Sequence, residues 1–206
     1  MEVAKEFEGA GLRRLHLVDL DGAKAGAVKN WKVMEAITSR TNLIIDFGGG
    51  IKTDDDVKIV FNSGAALATV GSLAVKDEDL FVSWLQTYGA ERFLLGADVK
   101  NEKIAVGGWL ETTDIWIYDF IEKYINHGIL QLFCTDVSKD GKLEGPSTEL
   151  YKNIVCKFPK LHFIASGGVS SLNDLDELTN IGCTGVIIGK AIYEGKISLK
   201  DLKKFN

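Results

Sequence analysis

The chain has 206 residues, 46% of them hydrophobic and 26% charged, with a formal net charge of −5. That mix belongs to an ordinary globular domain, and the negative balance excludes a broad nucleic-acid surface, which needs clustered Lys and Arg. No apolar run approaches the roughly 20 residues of a membrane span, and the opening MEVAKEFEGAGLRR carries charges where a signal peptide needs an apolar core. The expected location is the cytoplasm. Cys134, Cys156 and Cys183 are odd in number and form no CxxC pair, so neither a disulfide framework nor a zinc site is expected.

In chain order, the sequence predicts a helix over Glu2–Glu8, a strand over Leu15–Leu20, a helix over Trp31–Ser39 and a strand over Leu43–Phe47. A helix over Asp54–Asn62, a strand over Ala66–Val70, a helix over Asp77–Tyr88 and a strand over Phe93–Ala97 follow. The second half adds a helix at Asp114–Asn126, a strand at Leu130–Cys134 and a helix at Ser147–Lys157. It closes with a strand at His162–Ala165, a helix at Leu172–Asn180, a strand at Gly185–Ile188 and a helix at Ser198–Lys204. The strand runs are near-continuously apolar, as parallel strands covered on both faces require, and the βαβα rhythm means a parallel sheet. The chain opens directly in a helix, and seven strands stand against eight helices. A complete eightfold barrel pairs one strand with each helix, so the expectation is a barrel lacking its first strand.

Two segments repeat. Gly49-Gly50-Ile51 followed by Gly71 aligns without a gap on Gly167-Gly168-Val169 followed by Gly189, 118 residues later, and Gly64 falls on Gly182. Asp21-Gly22 pairs with Asp140-Gly141 at an offset of 119. The fold class expected is therefore α/β, a (β/α)8 TIM-type barrel with a twofold internal repeat. One domain spans 1–206, with half-barrel repeats near 1–88 and 89–206. A glycine pair at a strand's C-terminal end lets backbone approach a ligand closely and presents N–H groups to an anion. Gly49, Gly50, Gly71 and Ser72 then form one candidate phosphate cradle, and Gly167, Gly168, Gly189 and Lys190 a second. Tight βα turns are the plain alternative for a lone glycine pair.

The segments Leu17-Val18-Asp19-Leu20-Asp21-Gly22-Ala23, Phe47-Gly48-Gly49-Gly50-Ile51, Thr135-Asp136-Val137-Ser138-Lys139-Asp140-Gly141 and Ala165-Ser166-Gly167-Gly168-Val169 carry a resemblance. Together they resemble the phosphoribosylformimino-aminoimidazole-carboxamide ribotide isomerase family of histidine biosynthesis, over essentially the whole chain. The resemblance implies an Amadori rearrangement, aminoaldose to aminoketose, of a small substrate with a phosphate at each end, without cofactor or metal. It implies a general-acid role for Asp98, at the end of the Leu95-Gly96-Ala97 strand, and a place near the reacting ribose for Asp140. Thr135 and Asp19 become substrate contacts, and Trp109 matches a tryptophan on a mobile loop, where a ring can stack on the imidazole. The family's other aspartate, the base on its first strand, has no counterpart in this sequence, so impaired turnover is expected. Lys52 and Lys142 stand where the family usually shows Arg and Thr. His16, His127 and His162 read as structural.

Two alternatives stay open. The sister enzyme that closes the imidazole ring shares the duplicated barrel, although its loop typically reads Ser-Met-Asp-Arg-Asp-Gly where this chain has Thr135–Gly141. The other alternative is a non-catalytic barrel fragment that still binds phosphate. In every case the expected partner is a small bis-phosphorylated molecule, not nucleic acid or membrane. Unpaired strand edges add an expectation of self-association.

Overall fold

The computed structural model describes residues 1–205 and divides into two compact units. The first unit comprises residues 1–70, 92–94 and the C-terminal residues from Leu199. Its elements are α1 (Glu2–Gly9), β1 (Arg14–Val18), α2 (Leu20–Ala25), α3 (Trp31–Thr38), β2 (Ile44–Gly48), α4 (Asp54–Asn62) and β3 (Leu67–Val70). β1, β2 and β3 are parallel neighbours, with His16 opposite Asp46 and Gly48 opposite Thr69. Ile45, Phe47, Ala68 and Val70 are almost wholly buried in this sheet. His16 Nδ1 lies against the buried Asp46 carboxylate, which also accepts from Thr69 Oγ1 at 3.2 Å. That pairing satisfies a buried carboxylate.

The second unit comprises residues 71–91 and 95–198. It runs through α5 (Ser72–Lys76), α6 (Glu78–Tyr88), β4 (Phe93–Lys100, entering from the first unit), β5 (Lys103–Val106), β6 (Glu111–Trp116) and α7 (Ile117–Asn126). It continues through β7 (Gln131–Asp136), α8 (Thr148–Lys157), β8 (His162–Ser166), α9 (Leu172–Asn180), β9 (Gly185–Ile187) and α10 (Lys190–Tyr193). α11 (Leu199–Leu202) returns to the first unit. β4, β7, β8 and β9 are parallel, in that order. Ile117, Phe120, Ile121 and Tyr124 make one apolar stripe on α7, and all four are buried. Tyr124 reaches out of that stripe to donate its hydroxyl to Ala74 O at 2.5 Å.

This is the α/β, TIM-type barrel class that the sequence leads one to expect, with seven parallel strands within three residues of their expected bounds. Two antiparallel strands are additional. β5 pairs with β4 and with β6, so Asp114, expected to open a helix, lies inside a strand and α7 begins at Ile117. The cause is local. Glu111-Thr112-Thr113-Asp114-Ile115-Trp116 places β-branched residues in a polar run with no covered helical face, and most of β6 is exposed.

The repeat extends to hydrogen bonds. Thr53 and Asp56 form a capping box at α4, and Ser171 and Asp174 form one at α9, 118 residues later. Gly71 and Gly189 each precede a short helix with nearly the same backbone angles, φ −116°, ψ −97° and φ −117°, ψ −85°.

Candidate active site

In the second unit, the parallel strands bring their C-terminal ends together. Asp98 of β4 is half-buried and stands opposite Thr135 of β7 in the ladder. Thr135 in turn stands opposite Ser166 of β8, and both are buried. Gly167 follows directly. A Cβ placed there would lie 3.3 Å from Thr135 Cγ2 and 3.4 Å from Asp140 Cα, so absence of a side chain lets the 136–147 loop settle on the strand ends. Asp98, Thr135, Gly167 and Asp140 are thereby linked by contiguous neighbours, with Asp140 exposed at the surface.

A cleft of about 230 Å³ opens beside them, lined by Asp140, Gly141, Ser166, Gly167, Gly168 and Lys190 among others. Gly168 has φ +81°, and a Cβ there would come within 2.3 Å of Gly145 O, whose own residue donates N–H to Gly168 O at 3.0 Å. Only glycine fits that approach. Lys190 Nζ donates to Gly141 O at 2.7 Å and stands 3.5 Å from Glu194 Oε1. Ser166 was not singled out by sequence reasoning. Its signal is its place, a hydroxyl residue at the last strand position before a glycine pair.

The β5–β6 hairpin reaches back over β4. Trp109, 46% exposed, donates its indole N–H to Asp98 Oδ2 at 2.9 Å. It does so from φ +72°, the left-handed region that costs a residue with a Cβ. Two residues earlier, Gly107 N donates to Ser72 Oγ at 3.1 Å. Gly71, Ser72, Asp98 and Trp109 are therefore tied to one hairpin. Cys134, adjacent in β7, is inert as a nucleophile. Burial first, then the charges of Asp98 and Asp136, push its thiol well above the ordinary value.

In the first unit, Asp19, Gly49 and Gly50 sit together at the ends of β1 and β2. Asp19 is 2% exposed and its carboxylate is fully engaged. Oδ1 accepts from Gly22 N at 2.8 Å and Asn30 Nδ2 at 2.7 Å, and Oδ2 from Lys29 N at 2.7 Å and Asn30 N at 2.8 Å. Burial alone would raise its pKa, but the donors from Asn30, Gly22 and Lys29 outweigh it and the pKa lies below the usual value. Asp19 thus ties its own loop together. Gly49, at φ +100°, passes so close that a Cβ would meet Asp19 O at 2.3 Å.

Among the described residues, no cluster of three His, Cys, Asp or Glu side chains could hold a metal ion, and no helix is long and apolar enough to cross a membrane.

The family profile described as histidine biosynthesis protein matches residues 1–198. The chain is 56% identical over 205 residues to the 1-(5-phosphoribosyl)-5-((5-phosphoribosylamino)methylideneamino) imidazole-4-carboxamide isomerase of Bacteroides thetaiotaomicron, covering all of this chain and 86% of that protein. The isomerases of the same name from Azobacteroides pseudotrichonymphae and Flavobacterium johnsoniae are 57% and 52% identical, each over all of this chain and 85% of the relative.

Proposed function

Since this chain belongs to the histidine biosynthesis protein family, we propose that its strand ends isomerise a bis-phosphorylated aminoimidazole carboxamide ribotide from aminoaldose to aminoketose. The observation that carries the reading is the convergence of Asp98, Thr135 and Asp140 beside the glycine cleft, in a chain more than half identical to isomerases of that name.

The chemistry asks for two proton movements. Protonation of the ribose ring oxygen breaks its bond to C1, and the glycosidic nitrogen's lone pair forms the C1=N bond of the open Schiff base. Loss of the C2 proton then returns electrons toward nitrogen as an enaminol, which tautomerises to the aminoketose. Asp98 supplies the first proton. Asp140, on the 136–147 loop, orients the opened ribose and shares the transfer at C2, with Thr135 holding a hydroxyl. Trp109 lays its ring on the imidazole once substrate displaces it from Asp98.

One terminal phosphate rests on Gly167, Gly168, Gly189 and Lys190. For the other, Gly71 and Ser72 offer donors. The protein works in the cytoplasm on a small molecule, and its strand edges pair with further copies of the chain. The test is isomerase turnover of the purified protein beside Asp98→Asn and Asp140→Asn. Loss of about 10²–10⁴-fold in kcat for each variant, with the fold retained, is expected. Undiminished turnover in Asp98→Asn removes it as the acid. Conversion of the product analogue with ammonium salts, without isomerisation, replaces the reading by the ring-closing reaction.

A further inference from the structure

The two units use the same loop device with different firmness. Asp19 and Asn30 close one loop and Asp136 and Ser147 close the other, each pair 11 residues apart. In the first, the buried carboxylate takes four donors, three of them backbone or side-chain groups of Lys29 and Asn30. In the second, Asp136 accepts from Ser138 N at 2.9 Å and Ser147 Oγ at 2.5 Å, and the middle of the loop, Asp140 to Lys142, is exposed. Within the loop, Asp140 N donates to Asp136 O at 3.1 Å and Lys142 N to Lys139 O at 3.2 Å, and the tie from elsewhere is Lys190, whose ammonium donates to Gly141 O at 2.7 Å.

We infer that Lys190 is a positioning residue that couples anion occupancy of the glycine cleft to the placement of Asp140. The inference rests on the phosphate reading above. Lys190 lines the same cleft as Gly167 and Gly168 and brings a positive charge to it. A phosphate monoester is a far stronger acceptor for an ammonium than a neutral carbonyl, because the hydrogen bond is then charge-assisted on both sides. When phosphate enters, Lys190 turns from Gly141 O to the anion, and the loop loses its outside tie. Gly141 adjoins Asp140 directly, and Gly141 at φ +69° has open space around it, so the peptide can rotate without a clash. Gly145 N stays bonded to Gly168 O at 3.0 Å and anchors the far side of the loop. Phosphate thereby releases Asp140 toward the ribose.

The experiment is amide hydrogen exchange followed by mass spectrometry on the whole protein, with and without inorganic phosphate. For the unaltered chain, phosphate is expected to slow exchange across 187–191 and to speed it several-fold across 138–145. In Lys190→Met, exchange across 138–145 is expected to be fast already and indifferent to phosphate, while Lys190→Arg restores the response. Protection at 187–191 with unchanged exchange at 138–145 overturns the coupling and leaves phosphate binding standing. No change in either segment overturns both.

Discussion

Asp19 shows how a single buried carboxylate can brace a loop. Both of its oxygens face donors, so Asp19→Asn necessarily turns an NH2 group against two N–H groups whichever way the amide is placed. Leaving buried donors opposed in this way costs about 3 kcal/mol, and urea unfolding at pH 7 is expected to show a loss of that order. The pH dependence has a definite sign. The folded-state pKa lies below the unfolded value of about 3.9, so the stabilisation is present above that value and fades as pH falls through the lower, folded one. The stability gap between the unaltered chain and the Asp19→Asn variant is therefore expected to be constant from about pH 5 to 7 and to shrink below about pH 4. A gap that does not narrow in acid would mean the carboxylate charge is not what the loop uses. Asp56, which accepts from Val28 N at 3.0 Å and from Thr53, has its pKa lowered against the same opposing effect of burial, so the loop between Asp19 and Asn30 is braced from α4 as well.

At the level of elements, the parallel strands were legible because each is an apolar run between turn signals, and the glycine pairs were legible because they recur at a fixed spacing. The β5–β6 hairpin was not. Its strands are short and largely polar, and their pairing with β4 is a tertiary choice that no local period announces. The engagement of Asp19 was equally invisible, since its partners lie up to 11 residues away and most are backbone N–H groups. The hairpin bears on the proposed mechanism because its tip holds Trp109 at φ +72° against Asp98. A left-handed residue with a Cβ costs roughly 1 kcal/mol relative to glycine. Trp109→Gly is therefore expected to be about as stable as the unaltered chain or slightly more so in thermal unfolding, yet to lose at least tenfold in kcat. Trp109→Phe, which keeps a ring and loses the indole donor, is expected to fall between them. If Trp109→Gly turns over normally, the ring is only packing beneath its loop and plays no part with the imidazole.

For the molecule as a whole, the ends of the sheet are the proposed place of self-association. Among the described residues, β1 and β9 stand at the two ends of the strand order, each with one ladder neighbour. Neither strand contains a proline, and β1 ends in apolar surface, with Val18 45% and Leu20 68% exposed. Edges of that kind template pairing with another chain, and charge placed on them suppresses it. Association through these edges is expected to appear in sedimentation velocity as a coefficient that rises with protein concentration. Because the interaction runs through backbone beside an apolar strand end, it should persist in high salt, where a purely ionic association would dissolve. Val18→Lys puts a charge on the exposed end of β1 at a position whose side chain is not part of the core, and it is expected to return the protein toward a monomer with its melting temperature little changed. A monodisperse monomer across the concentration range in the unaltered chain would show that these edges are protected in solution. An assembly insensitive to Val18→Lys would place the interface elsewhere on the surface.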